Sequence, residues 1–230
     1  MAGNQTIEQS QHKTKNMKKY IRTILITLLS VSVIAGCKKS TPNDYASSIK
    51  NKTWWGQLTY TGKTSEYYSV QFGADNSLIW SQMSGDYPGN WFVEGKTITI
   101  TFRDNSVQIK ADISDDDKLM NITDNTGNSE INSGQLIVNP NISLENTVWK
   151  GSLVYAVTPD DYQLSFMPDS KVQSKYFNIN YTENYTRSAS GAVIRTTGGG
   201  AIPIFGVITS GSEMKGGRLN ADYRWQVIKQ

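Results

Sequence analysis

The chain has 230 residues, with 23 Lys and Arg against 20 Asp and Glu and a formal net charge of +3. Its single cysteine rules out an internal disulfide. One cysteine and one histidine also cannot supply an ordinary zinc site, which draws three or four ligands mostly from those two residue types.

Met17-Lys18-Lys19-Tyr20-Ile21-Arg22 is a positively charged start, followed by an apolar run from Thr23 through Ala35. About thirteen residues are too few to span a bilayer as a helix, which takes roughly 20. A charged start, a short apolar centre and small residues before a cut make a secretory signal peptide over 1–36. The run ends Ile34-Ala35-Gly36-Cys37, an aliphatic, two small residues and a cysteine, which resembles the lipobox of bacterial lipoproteins. That resemblance implies that Cys37 becomes the lipidated first residue, with 37–47 as its tether. It also implies that Met17 is the true start and that 1–16 lie upstream of it. Lys38 stands where an Asp would hold an enterobacterial lipoprotein at the inner membrane, so outer-membrane anchoring is the expectation, facing either the periplasm or the outside. Lys38-Lys39 departs from the acidic residues usual in surface-exported lipoproteins of the Bacteroidota.

Removing 1–36 changes the balance of charge. Five of the 23 basic residues lie there (Lys13, Lys15, Lys18, Lys19 and Arg22) against one of the 20 acidic (Glu8), which leaves 18 against 19. The remainder has no basic surplus with which to attract nucleic acid. His12 is also removed and Cys37 is lipidated, so Ser-His-Asp and Cys-His catalysis lack their imidazole and thiol.

The rest repeats itself. Asn51, Trp54, Gly56, Leu58 and Tyr60 return 95 positions later as Asn146, Trp149, Gly151, Leu153 and Tyr155. Tyr68, Val70, Phe72 and Asp75 return 94 later as Tyr162, Leu164, Phe166 and Asp169, Asn90-Trp91 as Asn184-Tyr185, and Met120 as Met214. An offset kept along a whole half is the mark of duplication. Two domains are expected, 48–138 and 144–230, divided near Asn139-Pro140-Asn141.

Within each half the apolar period is two, as in strands. Ile98, Ile100 and Phe102 alternate with threonines, and Val107, Ile109, Ala111 and Ile113 alternate with polar residues. Turn-forming clusters at 74–77, 85–89, 94–96, 103–105, 114–117 and 124–128 separate about eight short strands per half. Short loops favour pairing between sequence neighbours, and closure removes exposed edges. The expected fold is all-β, two tandem small antiparallel up-and-down β-barrels, with a pair of immunoglobulin-like sandwiches as the alternative. Trp-x-Gly at Trp54, Phe-x-x-Asp at Phe72, Asn-Trp at Asn90 and a late methionine resemble the small lipocalin-like domains of bacterial lipoproteins. The short strands imply smaller interiors than in true lipocalins.

Trp54, Leu58 and Tyr60, with Trp149, Leu153 and Tyr155, define the packed face. Trp55 lies opposite, matched by Lys150, and is a candidate for a partner or sugar surface or for packing between the halves. Trp80 (matched by Ser174) and Trp91 (matched by Tyr185) are candidates for a ligand-facing wall or for core. Asp115-Asp116-Asp117 lacks calcium-loop spacing and reads as a hairpin tip, as does the stretch from Asp124 to Glu130. Asp160-Asp161 reads as a turn, and Gly198-Gly199-Gly200 as a hairpin loop. No cofactor or metal is expected. The function expected is non-enzymatic: an envelope module for a small apolar or glycan ligand, or for docking to an envelope protein. The alternative is a carboxylate-based glycan hydrolase, but Glu66, Glu94, Glu183 and Asp161 fall at strand ends or turns with no sign of convergence, and none is assigned a catalytic role.

The anchor is testable directly. Cys37→Ala is expected to abolish incorporation of radiolabelled palmitate and to release the protein from membranes; unchanged labelling and membrane association would remove the anchor.

Overall fold

The computed structural model describes residues 44–230, except 62, 64, 138–139, 156–157, 197–203 and 219–222. The signal segment, Cys37 and Gly198-Gly199-Gly200 lie outside the described residues. A one-turn helix, α1 (Tyr45–Ile49), leads into eight strands: β1 (Thr53–Tyr60), β2 (Glu66–Phe72), β3 (Ser77–Gln82), β4 (Gly85–Glu94), β5 (Thr97–Phe102), β6 (Val107–Ile113), β7 (Lys118–Asp124) and β8 (Ser129–Leu136). Eight more follow: β9 (Thr147–Tyr155), β10 (Thr158–Met167), β11 (Lys171–Tyr176), β12 (Ile179–Arg187), β13 (Val193–Thr196), β14 (Ile204–Ser210), β15 (Glu213–Arg218) and β16 (Tyr223–Lys229). Each set closes into an antiparallel barrel in sequence order, the last strand pairing with the first (Leu58↔Ile131 and Leu153↔Trp225).

The duplication is visible in backbone geometry. Asn51 and Asn146 both take left-handed conformations, φ 59° and 60°, a region Asn tolerates better than most residues. In each case the turn is closed by the same bond, Lys52 N–H to the Ile49 carbonyl (3.0 Å) and Thr147 N–H to the Leu144 carbonyl (3.1 Å). Ile49 and Leu144 are both buried and close the same end of the two barrels. In the first barrel α1 reinforces this plug: Asp44 caps it by accepting from the Ser47 N–H, and the Tyr45 hydroxyl donates to Asp115. Trp54 and Trp149 are fully buried above the plugs. Beside them Trp91 packs edge-on to Phe72 (5.6 Å, 77°), and Tyr185 to Phe166 (5.2 Å, 83°).

Four expectations need correction. Gly85 to Gly89 is not a turn but the start of β4, the turn being Met83-Ser84. Pro88 is tolerated there because β5 pairs with β4 only from Asn90 onward. Asp160-Asp161 likewise lies within β10. Met120 is exposed while Met214 is buried, and the inward residue of β7 is Leu119, one position earlier. A shift of one residue reverses the face of a strand. Tyr155 also departs from its partner, being exposed and stacked on Tyr223 at 4.5 Å, whereas Tyr60 is half-buried.

The two barrels share a third apolar cluster. Val193, Phe205 and Val207 on the outer face of β13 and β14, with Ile137 and Ala192, pack against Trp55, Tyr67 and Met83 on the outside of the first barrel. Ile194, Ile204 and Ile208 face the second barrel's own core. With both faces covered, β14 is buried along nearly its whole length.

The connection between barrels is fixed by Arg187, whose guanidinium donates to the carbonyls of Ile142 (2.8 Å), Pro140 (3.1 Å) and Gly191 (2.5 Å). Arg187→Ala leaves three partly buried carbonyls unpartnered. It is expected to destabilise the second barrel by about 2 kcal/mol in urea unfolding, with Arg187→Lys recovering little because an ammonium cannot span the three acceptors.

Candidate functional site at the mouth of the first barrel

Opposite the α1 plug, β1, β3 and β5 end at Tyr60, Gln82 and Phe102, and the side chains there surround an open cavity of about 250 Å³. Its floor is Leu58, Ile109 and Ile131, and its walls include Tyr60, Trp80, Tyr87 and Phe102. Gln82, Arg103, Asp124 and Asn128 supply polar groups. Trp80 is held on three sides. It stacks on Tyr68 (4.1 Å, 10°), meets the edge of Phe102 (6.1 Å, 89°), and its indole N–H donates to Gln82 Oε1 (3.0 Å). The Gln82 amide in turn donates to the Tyr60 hydroxyl (2.9 Å) and to Ser84 Oγ (2.7 Å), so both of its hydrogens are committed and its orientation is fixed. Tyr87 also donates to Ser84 (3.0 Å). The result is a rigid aromatic wall rather than an adaptable one.

Electrostatics at the mouth are quiet. Burial pushes the Tyr60 phenol up, so it stays a neutral hydroxyl at physiological pH. Burial also raises the Asp124 carboxyl, but hydrogen bonds from Thr126 and Ser129 outweigh it and hold the group below the usual aspartate value. Those bonds spend the carboxylate on ordering the β7–β8 loop. Arg103, Asp104 and Asn105 are left-handed in succession, φ 47°, 54° and 70°. Such backbone costs of order 1 kcal/mol per non-glycine residue, and here it sets the Arg103 side chain beside the cavity.

Of the three tryptophans singled out from sequence, only Trp80 reaches this site. Trp91 is core near the plugged end, 2% exposed. Trp55 packs between the barrels, tilted against Tyr67 with the Lys215 ammonium 5.0 Å above its ring, beside a groove of about 140 Å³ that includes Gln57 and Gln135. Tyr87 was hidden in sequence because its segment reads as a turn. Tyr60 was assigned to the filled interior, but the barrel widens where β1 ends.

The acidic residues do not converge. Glu66 is at the mouth of the first barrel, its carboxyl raised by burial, and Glu94 is at the opposite end of the same barrel. Asp161 is exposed on the second barrel and Glu183 is buried within it. Asp115, Asp116 and Asp117 form a hairpin tip, and all are engaged: Tyr45 donates to Asp115, Lys118 pairs with Asp116 (2.5 Å) and Lys52 with Asp117 (3.7 Å). Among the described residues no group of three or more His, Cys, Asp or Glu is placed to hold a metal ion. No protein-family model, curated protein or solved structure matches the chain.

The second barrel steadies this mouth. Arg195 on β13 reaches across to the β3–β4 hairpin, donating to Asp86 (2.7 and 3.1 Å) and to the carbonyls of Gln82 (3.1 Å) and Gly85 (3.2 Å). Burial raises the Asp86 carboxyl, but the Arg195 and Ser81 hydrogen bonds reverse this and hold it below its ordinary value. The clamp therefore persists above the ordinary aspartate range and is lost only as acid protonates Asp86. Arg195→Ala is expected to speed hydrogen exchange of the 83–87 amides about fivefold, matching a loss of ~1 kcal/mol, with the core of the second barrel still protected.

Proposed function

We propose that this is a lipid-anchored protein of the bacterial outer membrane, without enzymatic activity, that binds a small ring-shaped ligand at the mouth of its first barrel. The anchor reading rests on Ile34-Ala35-Gly36-Cys37 and the short apolar run before it. The observation that carries the binding reading is Trp80, an indole locked by Tyr68, Phe102 and Gln82 on the wall of an open cavity. Ligand pockets combine apolar walls with a few placed polar groups, and those for drug-sized ligands run from about 300 to 1,000 Å³. A cavity of about 250 Å³ falls just below that range, which favours one sugar or aromatic ring over a lipid chain. The indole face and Phe102 supply the apolar side of such a ring, while Tyr60, Arg103 and Asn128 meet the hydroxyls or other polar groups at its edge.

Titrating the mature protein with a set of monosaccharides and aromatic acids, followed by tryptophan fluorescence, tests the site. A ligand that binds is expected to lose at least tenfold in affinity on Trp80→Ala, of order 1.5–3 kcal/mol for removal of a buried aromatic anchor. Trp55→Phe, at the barrel interface, is expected to leave affinity unchanged. Equal binding by the Trp80 variant would overturn the assignment.

A further inference from the structure

The outer face of each barrel's first three strands has the same ladder but not the same chemistry. On β1, β2 and β3, Trp55, Ser69 and Ser81 stand opposite one another in one row. Trp55, with Tyr67 and Met83 on the same face, is packed against the second barrel. The matching row on β9, β10 and β11 is Lys150, Gln163 and Lys175. Their sequence neighbours Trp149, Leu164 and Ser174 are buried, so strand alternation turns this row outward. Asp161 and Phe177 stand at the places of Tyr67 and Met83, 94 positions on. Two of the residues that dock the first barrel, Trp55 and Tyr67, have thus given way to charged groups. In place of a packed interface this face holds an open cavity of about 460 Å³, lined by Lys150, Asp161, Gln163, Lys175, Phe177 and Asn178.

One lining residue is held against its preference. Phe177 and Asn178 join β11 to β12 in a two-residue turn, with φ 48° and 59°. Left-handed backbone at both central positions suits Asn and Gly, and is an outlier for a bulky ring. The Asp160 carboxylate fixes the turn by accepting the Phe177 N–H (2.6 Å), and the ring meets Tyr176 edge-on (5.8 Å, 72°). Yet Phe177 is 45% exposed, so packing does little to offset the strain. Strained residues of this kind cluster where a ligand is held. The polar groups are placed as well. Gln163 donates to Ser165 (2.9 Å), which fixes its amide, and neither Lys150 nor Lys175 is in an ion pair with a described residue. Their α-carbons lie two strand spacings apart, about 10 Å, so both ammonium groups can reach one anion above Gln163.

From this arrangement we infer that the outer face of β9, β10 and β11 binds an acidic sugar, a hexuronate unit of a glycan. Lys150 and Lys175 hold its carboxylate through charge-assisted hydrogen bonds. Phe177 takes the apolar face of the pyranose ring, and Asp161, Gln163 and Asn178 meet its hydroxyls. A neutral sugar leaves the two ammonium groups without a counter-charge, and a polyanion brings charge against Asp161 as well as against the lysines. An apolar chain meets a single ring among polar side chains. The volume lies within the range of about 300 to 1,000 Å³ usual for bound small molecules. The inference is independent of the ligand proposed for the first barrel.

The test is an NMR titration of the protein with galacturonate and glucuronate, with galactose and glucose as neutral counterparts, followed at the amides of 150–152, 161–163 and 175–178. Wild type is expected to bind at least one uronate tenfold or more tightly than its neutral counterpart, with shifts centred on those amides. Replacing both lysines, Lys150→Met with Lys175→Met, should bring the uronate down to the level of the neutral sugar. Both side chains are exposed, so the fold is kept. Phe177→Asn, which suits the left-handed backbone, should weaken binding at least fivefold without lowering the melting temperature. Trp80→Ala should leave it unchanged, which separates this site from the mouth of the first barrel. No preference for a uronate in wild type, the same preference in the double lysine variant, or shifts confined to the first barrel would overturn the proposal.

Discussion

Closure of eight short strands is the constraint from which the rest of this molecule follows. Once β1 pairs with β8 and β9 with β16, each barrel has no free edge and a fixed, small interior. Every inward side chain then competes for the same volume. The two interiors solve this differently: the first places a tryptophan on β3 and an isoleucine on β8, while the second has a serine on β11 and a tryptophan on β16. At these two positions the large ring has changed sides of the lumen. That exchange leaves Trp80 beside an open cavity in one barrel and Trp225 packed in the core of the other.

Duplication also divides the labour of stability. The plugged ends are nearly identical, with Ile49 and Leu144 held by matching turns and Trp54 and Trp149 stacked above them. The open ends diverge. At the first, the hairpin carrying Gln82 is clamped by Arg195 of the other barrel, and at the second, stacked tyrosines line the hairpin. One end of each barrel holds the fold, which frees the other end to vary.

Much of this was legible in the chain. The period-two patterning of the Ile98 and Val107 stretches, the turn clusters between strands and the 94- to 95-residue offset together imply two up-and-down barrels, because strand pairing between neighbours depends mainly on local signals. The errors were of two kinds, turn-like segments that are strands and residues set on the wrong face. Gly85-Asp86-Tyr87-Pro88-Gly89 has the composition of a turn but is held extended by β3, and Asp160-Asp161 is held by β9. Partner strands overrode local preference in both. Met120 was aligned with Met214 by identity, but the pleat requires Leu119 on the inward side.

The chain by itself determined the strand count, the repeat and the scarcity of imidazole and thiol, since all of these are carried by order and composition. Only the tertiary structure decided which tryptophan meets a cavity and which fills space, because Trp54, Trp55, Trp80 and Trp91 differ in the rings and strands around them rather than in anything local. It likewise decided that Glu183 is buried without a hydrogen-bond partner. A carboxylate in a strand of alternating residues reads as solvent-facing until the register of β11, β12 and their neighbours turns it inward.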